Sequence, residues 1–469
     1  MLNRSMTFIL LLLMLVLSGC SLIPHYTQPQ LPVAENWPVG DAYLPVSSGE
    51  AAQIAWQDYV QSVPLKRLID RVLANNRDLR IAALNIEQVR AAYRIQRSEL
   101  IPTISVNGSV TRAEVPEDTS TNGVNYNYTA ISANVALASY ELDFFGRVRS
   151  LNQQALENYL ATEEAFASAR VSLIAETANA YLGYLADRKL LQLARETQEA
   201  QQKTYKVIER QFEVGSATRL DLVQVATAVE SAKVSISQYT RQLAQDKNAL
   251  IYLAGGPVDD FLNNEETIDT IRFMVNLPAG LPSEVLLARP DIRMAEHQLK
   301  AANADIGAAR AALYPAISLT GAFGLASDGL DGLFSSGARY AWNFTPSLTI
   351  PIFNRGKLKA SLAVAEVNEK IAATHYELAI QTAFREVADQ LAARGTYQAQ
   401  LDAQNALVAA TGQAFELSKA RYDNGIDDFL TVLDSQRSLF SAKQGVVNSK
   451  LSYLANLVSL YKALGGGQL

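Results

Sequence analysis

The second half of this chain repeats the first at a nearly constant offset, which restricts the fold to two pseudo-equivalent halves. At an offset of 210, Phe212, Gly215, Leu220 and Ser231-Ala232-Lys233 fall on Tyr422, Gly425, Leu430 and Ser441-Ala442-Lys443, and Gly255-Gly256 falls on Gly465-Gly466. At an offset of 213, Asp78, Arg80, Ala82, Arg97, Pro102, Ile104, Ser105 and Gly108 meet Asp291, Arg293, Ala295, Arg310, Pro315, Ile317, Ser318 and Gly321. The period is far too long for a short-unit solenoid, whose repeats run about 20–50 residues. Elements of two kinds are repeated.

The first kind is helical. Ala, Gln, Glu, Leu and Lys dominate 65–100, 146–213, 217–254, 284–313, 357–423 and 427–464, where Pro and Gly are scarce. These residues are strong helix formers. Apolar residues recur at sevens: Leu222, Val229, Ile236, Leu243 and Leu250, and in the repeat Val432, Leu439, Val446, Tyr453 and Leu460. This is coiled-coil spacing. A second register, Leu433, Phe440, Val447, Leu454 and Tyr461, lies one residue away, so each helix has an apolar face wide enough for two neighbours. A two-stranded coiled coil or plain bundle is the simpler alternative. The runs 146–213 and 357–423 would each extend roughly 100 Å at 1.5 Å per residue, too long for a compact globule, and predict a tube or rod.

The second kind is extended. After Pro102, Ile104, Val106, Gly108 and Val110 alternate with Ser105, Asn107, Ser109 and Thr111; after Pro315, Ile317, Leu319, Gly321, Phe323 and Leu325 do the same. The period of two predicts strands at about 103–112 and 316–326. Their partners are 126–142, with Ile131, Val135 and Leu137 in phase, and 340–350, with Trp342, Phe344, Leu348 and Ile350 in phase. Polar loops, Ala113 to Asn125 and Ala326 to Arg339, separate the members of each pair. One apolar face, one polar face and aromatic ends is the pattern of an outer-membrane barrel; soluble hairpins capping the helices are the alternative. Four strands cannot close a barrel, and an open edge in lipid leaves backbone groups unsatisfied. If the strands span, several chains share one barrel.

The N-terminus carries an address. Arg4, an apolar run from Phe8 to Leu17 and then Leu17-Ser18-Gly19-Cys20 form the pattern of a bacterial lipoprotein signal, a targeting segment rather than part of the fold. Cys20 is the one cysteine of the chain, which excludes an intramolecular disulfide and favours acylation after cleavage. Ser21 is compatible with the outer membrane. No segment after the signal approaches the about 20 apolar residues of a transmembrane helix. The domain reading is a signal peptide at 1–19, a lipid-anchored extended tether at 20–64, a first repeat at 65–256, a linker or equatorial segment at 257–283 and a second repeat at 284–469.

Other function classes find little support. The three histidines, His25, His297 and His375, lack metal-ligand spacing, and neither a nucleophile elbow nor a phosphate-binding loop is present. The sequence is therefore not read as an enzyme, and no cofactor is expected beyond covalent lipid on Cys20. A net charge of -6 argues against nucleic acid. A periplasmic scaffold lipoprotein would account for the coiled coils but not for the alternating hairpins.

The combination resembles the outer membrane factor family, the TolC and OprM type of efflux duct, and its lipoprotein OprM-like branch in particular. The resemblance rests on the lipobox, the duplicated helix-strand-strand-helix halves, Tyr140-Glu141-Leu142-Asp143-Phe144-Phe145-Gly146-Arg147-Val148-Arg149, Arg289-Pro290-Asp291-Ile292-Arg293 and the final Gly465-Gly466-Gly467. It implies a homotrimer with a shared outer-membrane β-barrel, four strands per chain, continued by a long periplasmic α-helical barrel. It also implies passage of drugs or other small molecules from an inner-membrane RND-type transporter through a periplasmic adaptor, or membrane fusion protein. Protein export is the alternative cargo.

The helical hairpins turn at Gly215 and Gly425, where glycine suits a left-handed turn position. The resemblance makes these turns the periplasmic tip and the contact for the adaptor. Leu430, Asp434 and Arg437 share one helix face by spacing, and the resemblance assigns them to a periplasmic gate. A ring of Leu would be an apolar constriction and a ring of Asp a ring of like charge. Asp221, equivalent by repeat to Thr431, resembles the family's other gate-side carboxylate. Thr431 stands where some members carry a second acidic residue, which weighs against a double acidic ring.

Overall fold

The computed structural model describes residues 21–44, 54–121, 123–275, 282–333 and 339–467; Cys20 and the signal segment 1–19 lie outside the described residues. The first half runs through α1 (Trp56–Tyr59), α2 (Val63–Asn75), α3 (Arg77–Ser98), β1 (Ile104–Val115), β2 (Tyr126–Leu142), α4 (Arg147–Glu213) and α5 (Arg219–Ala254). A short α6 (Asp259–Leu262) follows. The second half repeats the order with α7 (Pro282–Ala288), α8 (Pro290–Ala311), β3 (Ala316–Ser327), α9 (Leu330–Leu333), β4 (Arg339–Thr349), α10 (Lys357–Asp423) and α11 (Phe429–Ala463). Strand β1 runs on into the segment expected to be loop, and α9 lies within the other expected loop. Among the described residues two compact units emerge: those up to Gln30, within Ile86–Glu163 and within Met294–Tyr376 form one, and those within Leu31–Asn85, within Glu164–Arg293 and from Glu377 on form the other.

The first unit holds one sheet of order β1-β2-β3-β4, antiparallel throughout. Alternate side chains of a strand point to opposite faces, and the register aligns those faces into rows. Val106, Val135, Phe323 and Trp342 make one row, and Ile104, Leu137, Gly321 and Phe344 the next. The first row is exposed along its whole length, Trp342 to 74%. The opposite face carries Ser105, Ala136, Ala322 and Asn343 in register, and Ser109 and Ser132 with hydroxyls 2.8 Å apart. Beyond β2 the chain turns sharply into α4. Arg147 pairs with Glu141 at 2.5 Å and Arg149 with Asp143 at 3.1 Å, clamping the turn on both sides.

The segment 20–64, expected as an extended tether, is irregular over 21–44 and is held there by a few separate contacts. In the first unit Asn303 donates to the Pro24 carbonyl at 2.9 Å, Gln28 donates to the Tyr376 hydroxyl at 2.9 Å, and Tyr26 donates to Glu296 at 3.3 Å. Ile23 lies so near Gly307 that a Cβ there would come within 2.6 Å of its Cγ1. In the second unit Trp37 is buried and stacks on Phe384 at 5.0 Å, while Trp56 and Tyr59 of α1 join the core. Isolated aromatic anchors hold this segment, and they leave no period to read.

In the second unit, two expected helices are each broken in two. The helix predicted at 65–100 is α2 and α3, parted at Asn76, and that predicted at 284–313 is α7 and α8, parted at Arg289. The breaks are equivalent by the 213 offset. Asn76 is an N-cap residue whose Oδ1 accepts from the Leu79 N–H at 2.9 Å, a preferred capping role for Asn. At the second break Pro290 occupies the first helical position, where its missing N–H costs nothing, and it disfavours helical backbone at Arg289. Each break residue then reaches the end of its own repeat's return helix. Asn76 Nδ2 donates to the Leu253 carbonyl at 3.0 Å, and Arg289 Nη1 donates to the Ala463 carbonyl at 2.7 Å. Leu253 and Ala463 are themselves equivalent by the 210 offset. Buried Arg289 also pairs with Asp291 at 2.7 Å and Glu386 at 2.8 Å.

Around this joint lies the helical core. Leu65, Leu68, Ile69 and Val72 of α2 are fully buried, the stripe expected at three and four residue spacing. Tyr59 stacks on Tyr461 at 4.4 Å. The segment 257–283, expected as a linker, contributes buried Val258, Leu262, Ile268, Ile271 and Phe273, and Phe273 bridges to Val60. Helix α11 buries Val432 and Leu460 from one heptad register and Val447, Leu454 and Tyr461 from the other, so both seams are used.

Arg289→Leu removes the donor from the Ala463 carbonyl and from two carboxylates. It is expected to cost on the order of 2 kcal/mol, visible as a lowered thermal midpoint of the detergent-solubilised protein. An unchanged midpoint would show that this joint does not hold the return helix.

Candidate functional site

The two helical hairpin tips belong to the second unit and are built alike. In the first, the Gly215 N–H bonds to the Phe212 carbonyl at 3.0 Å and the Ser216 N–H to the Gln211 carbonyl at 2.8 Å; in the second, Gly425 bonds to Tyr422 at 2.8 Å and Ile426 to Arg421 at 2.9 Å. This is the Schellman closure of a helix, which requires a left-handed residue. Gly215 and Gly425 supply it at φ of 78° and 72°.

The helix that follows each turn is capped by a Thr and an Asp in exchanged positions. Thr218 caps α5, and the carboxylate of Asp221 accepts from the Thr218 N–H at 2.8 Å and its hydroxyl at 2.6 Å, while Thr218 Oγ1 accepts from the Asp221 N–H at 3.1 Å. In the second tip Asp428 is the cap and accepts from the Thr431 N–H at 3.2 Å and hydroxyl at 2.9 Å. Each tip therefore keeps one carboxylate against the positive end of a helix, where negative charge is favoured. Thr431 itself donates to Asp428, the acid three residues before it.

Leu430, Asp434 and Arg437 lie on one face of α11. Leu430 is 45% exposed, and the exposed Asp434 and Arg437 pair at 2.9 Å. The structure thus brings Asp434 and Arg437 together one turn beyond Leu430. Thr431 sits in the first turn of the same helix, bonded to the cap Asp428, and Asp221 in the cap of α5. Beneath the tips, Ile208, Leu222, Val225, Phe429 and Val432 form one buried apolar cluster, with Tyr205, Phe415 and Tyr422 packed against it. The cluster draws on both hairpins, as does the bond from the Tyr422 hydroxyl to Gln211 Oε1 at 3.1 Å. Burial raises the Tyr422 phenol above its ordinary pKa, and the charges of Asp221 and Asp423 add to this, so it stays a neutral donor.

The tips differ in one respect that spacing alone does not announce. Arg421 grips Asp427 through two bonds of 2.6 and 2.8 Å across the second turn. Its hydrogen bonds and charge hold Asp427 below the usual carboxylate range. The equivalents in the first tip are Gln211 and Ala217, which form no such clasp; Gln211 is used for Tyr422 instead. The signal was a basic and an acidic residue flanking a turn glycine, six apart.

Among the described residues, no three His, Cys, Asp or Glu side chains are grouped to hold a metal ion, and no helix is long and apolar enough to cross a membrane.

The sequence pattern described as "outer membrane efflux protein" matches residues 68–256 and 281–466. The toluene efflux pump outer membrane protein TtgC of Pseudomonas putida is 48% identical over 454 residues, covering 96% of this chain and 93% of its own. The antibiotic efflux pump outer membrane protein ArpC of Pseudomonas putida is similar to the same degree, 48% over 454 residues with 96% and 93% covered. Among solved structures, the open state of the MtrE outer membrane channel of Neisseria gonorrhoeae superposes with a TM-score of 0.85 at 39% identity, covering 96% of this chain and 98% of that one. The fold is thus that of an outer-membrane channel, made of strands for the outer membrane and helices for the periplasm. The chain belongs to the outer membrane efflux protein family.

Asp427 has a depressed pKa, so its contribution to the tip is present at neutral pH and is lost only as pH falls through the folded value, below the ordinary carboxylate range. Arg421→Ala should accelerate amide hydrogen exchange at Gly425 to Asp428 at neutral pH and leave Gly215 to Thr218 unchanged. Equal protection in variant and wild type would remove the clasp.

Proposed function

We propose that this chain is the outer-membrane exit duct of a tripartite efflux pump. The observation that carries this reading is the open sheet: four strands with an exposed apolar face and no strand partner on β1 or β4 among the described residues. In lipid such edges must be closed by further strands. Three copies in a homotrimer would contribute twelve strands to one barrel, with the hairpins of the three chains enclosing a periplasmic tunnel. The names of the relatives support small, largely apolar molecules and antibiotics as cargo. The driving energy comes from an inner-membrane RND-type transporter through a periplasmic adaptor that contacts the tips at Gly215 and Gly425. The duct itself performs no chemistry.

In this reading the tip is a gate. Three copies of Leu430 would narrow the passage, and three copies of Asp434, each held by Arg437, would set its charge. The shared apolar cluster and the bond between Tyr422 and Gln211 keep the hairpins of one chain together, so opening requires these contacts to yield. Cys20 carries the covalent lipid that fixes the N-terminus to the outer membrane; each buried methylene contributes about 0.8 kcal/mol, and several chains anchor firmly.

Two outcomes are expected. In planar bilayers the purified protein gives a small conductance, and Asp434→Ala and Leu430→Ala each raise it several-fold; unchanged conductance in both variants would overturn the gate. Mass spectrometry of the mature N-terminal peptide shows acylated Cys20, and Cys20→Ala loses that mass while the oligomer mass in detergent stays that of three chains.

A further inference from the structure

The two arms of the first hairpin face each other at one level with a pair of acids. Asp187 lies 26 residues before the end of α4 and Asp246 lies 27 residues after the start of α5. Their carboxyl groups are within hydrogen-bonding reach of one another. Asp246 Oδ2 is buried, and no donor reaches it; its Oδ1 receives a bond of 3.4 Å from Gln242. Two ionised carboxylates in such contact repel, and a shared proton turns the repulsion into a strong hydrogen bond.

The surroundings supply no cation to do this instead. On α4, Arg188 is committed to the carbonyls of Leu262, Asn264 and Glu266, and Lys189 pairs with Asp269. On α5, Lys247 pairs with Asp259 at 2.5 Å. Tyr239 of α5 faces the pair, feels the Asp187 charge, and accepts from Gln444 of α11 at 2.8 Å. Among the described residues neither carboxylate has an ion-pair partner. The second repeat offers a contrast: the 210 offset puts Asn456 at the place of Asp246, and this neutral amide donates to Gln390 at 2.9 and 3.0 Å.

We propose that Asp187 and Asp246 form a proton-sharing clasp between the arms of the first hairpin, so that deprotonation loosens that hairpin and leaves the second, which carries Asn456, unaffected. The inference rests on the second unit alone and does not require the duct reading. Burial first, and then the neighbouring carboxyl, raise Asp187 to about 7, near the pH of a compartment open to the outside. The sign follows. A raised pKa means that the clasp's stabilisation is complete below the unfolded carboxyl value and is lost as pH rises through the folded one. Within that window the folded-to-unfolded ratio falls by up to about tenfold per pH unit for one such group.

The test is infrared titration of the purified full-length protein, with thermal midpoints followed across the same range. In the wild type a protonated-carboxyl stretch disappears as pH rises through neutrality, and the midpoint falls between the ordinary carboxyl range and neutrality and levels off above it. Asp246→Asn, which copies the second repeat, and Asp187→Asn each abolish the band and flatten the midpoint profile. A wild type with no carboxyl band titrating near neutrality overturns the clasp whether or not the variants fold. So do folded variants whose midpoint profiles run parallel to the wild type.

Discussion

The rest of the helical unit depends on how each repeat closes on itself. A hairpin whose arms run for 67 residues out and about half that back needs its return helix tied down, because the last carbonyls of a helix have no partner within it. Asn76 does this for Leu253 and Arg289 does it for Ala463. The position of the tie is the same in both halves, and the chemistry is not. The amide serves a single carbonyl and a single N–H; the guanidinium has five donors and also gathers Asp291 and Glu386, consistent with its planar fork. Duplication kept the joint, and divergence changed the side chain that makes it.

The tips show a similar pattern of fixed geometry and exchanged residues. Both Schellman turns use glycine and both following helices are capped by one Thr and one Asp, but the two residues trade places. What each cap shares is a side-chain oxygen that accepts from the N–H three residues on, supplied by Thr218 in one and Asp428 in the other. The clasp between Arg421 and Asp427 is confined to the second tip, and the bond from the Tyr422 hydroxyl to Gln211 uses the residue that stands in the first tip at the place of Arg421. The two tips therefore differ in their side-chain bonds although they are nearly identical in backbone.

The sequence revealed what was periodic or repeated. Strands appeared as alternation, long helices as composition, the tips as glycines at a constant offset, and the two seams of α11 as parallel heptads. What it concealed was held by single contacts. Asn76 sits in a helical composition, and its capping role shows only once Leu79 and Leu253 are brought to it. Pro290 stands at the second break, inside a stretch whose composition is helical on either side. Residues 21–44 carry no period, so Ile23, Tyr26 and Trp37 gave no hint of being packed. At the tip, Leu430, Asp434 and Arg437 were legible as one face, whereas the exchange between Asp221 and Asp428 was not, because positional alignment compares residues and capping compares pairs.

The packed N-terminal segment bears on the order of assembly. Its partners lie far along the chain: Pro24 bonds 279 residues away to Asn303, and Gln28 bonds 348 residues away to Tyr376. Residues 24–28 must therefore wait for the next-to-last helix, α10, before they can dock. Contacts of such sequence separation form slowly, since a large loop must close before any of them is gained. Until then Glu296 and Asn303 of α8 and Tyr376 of α10 lack the partners that residues 24–28 supply.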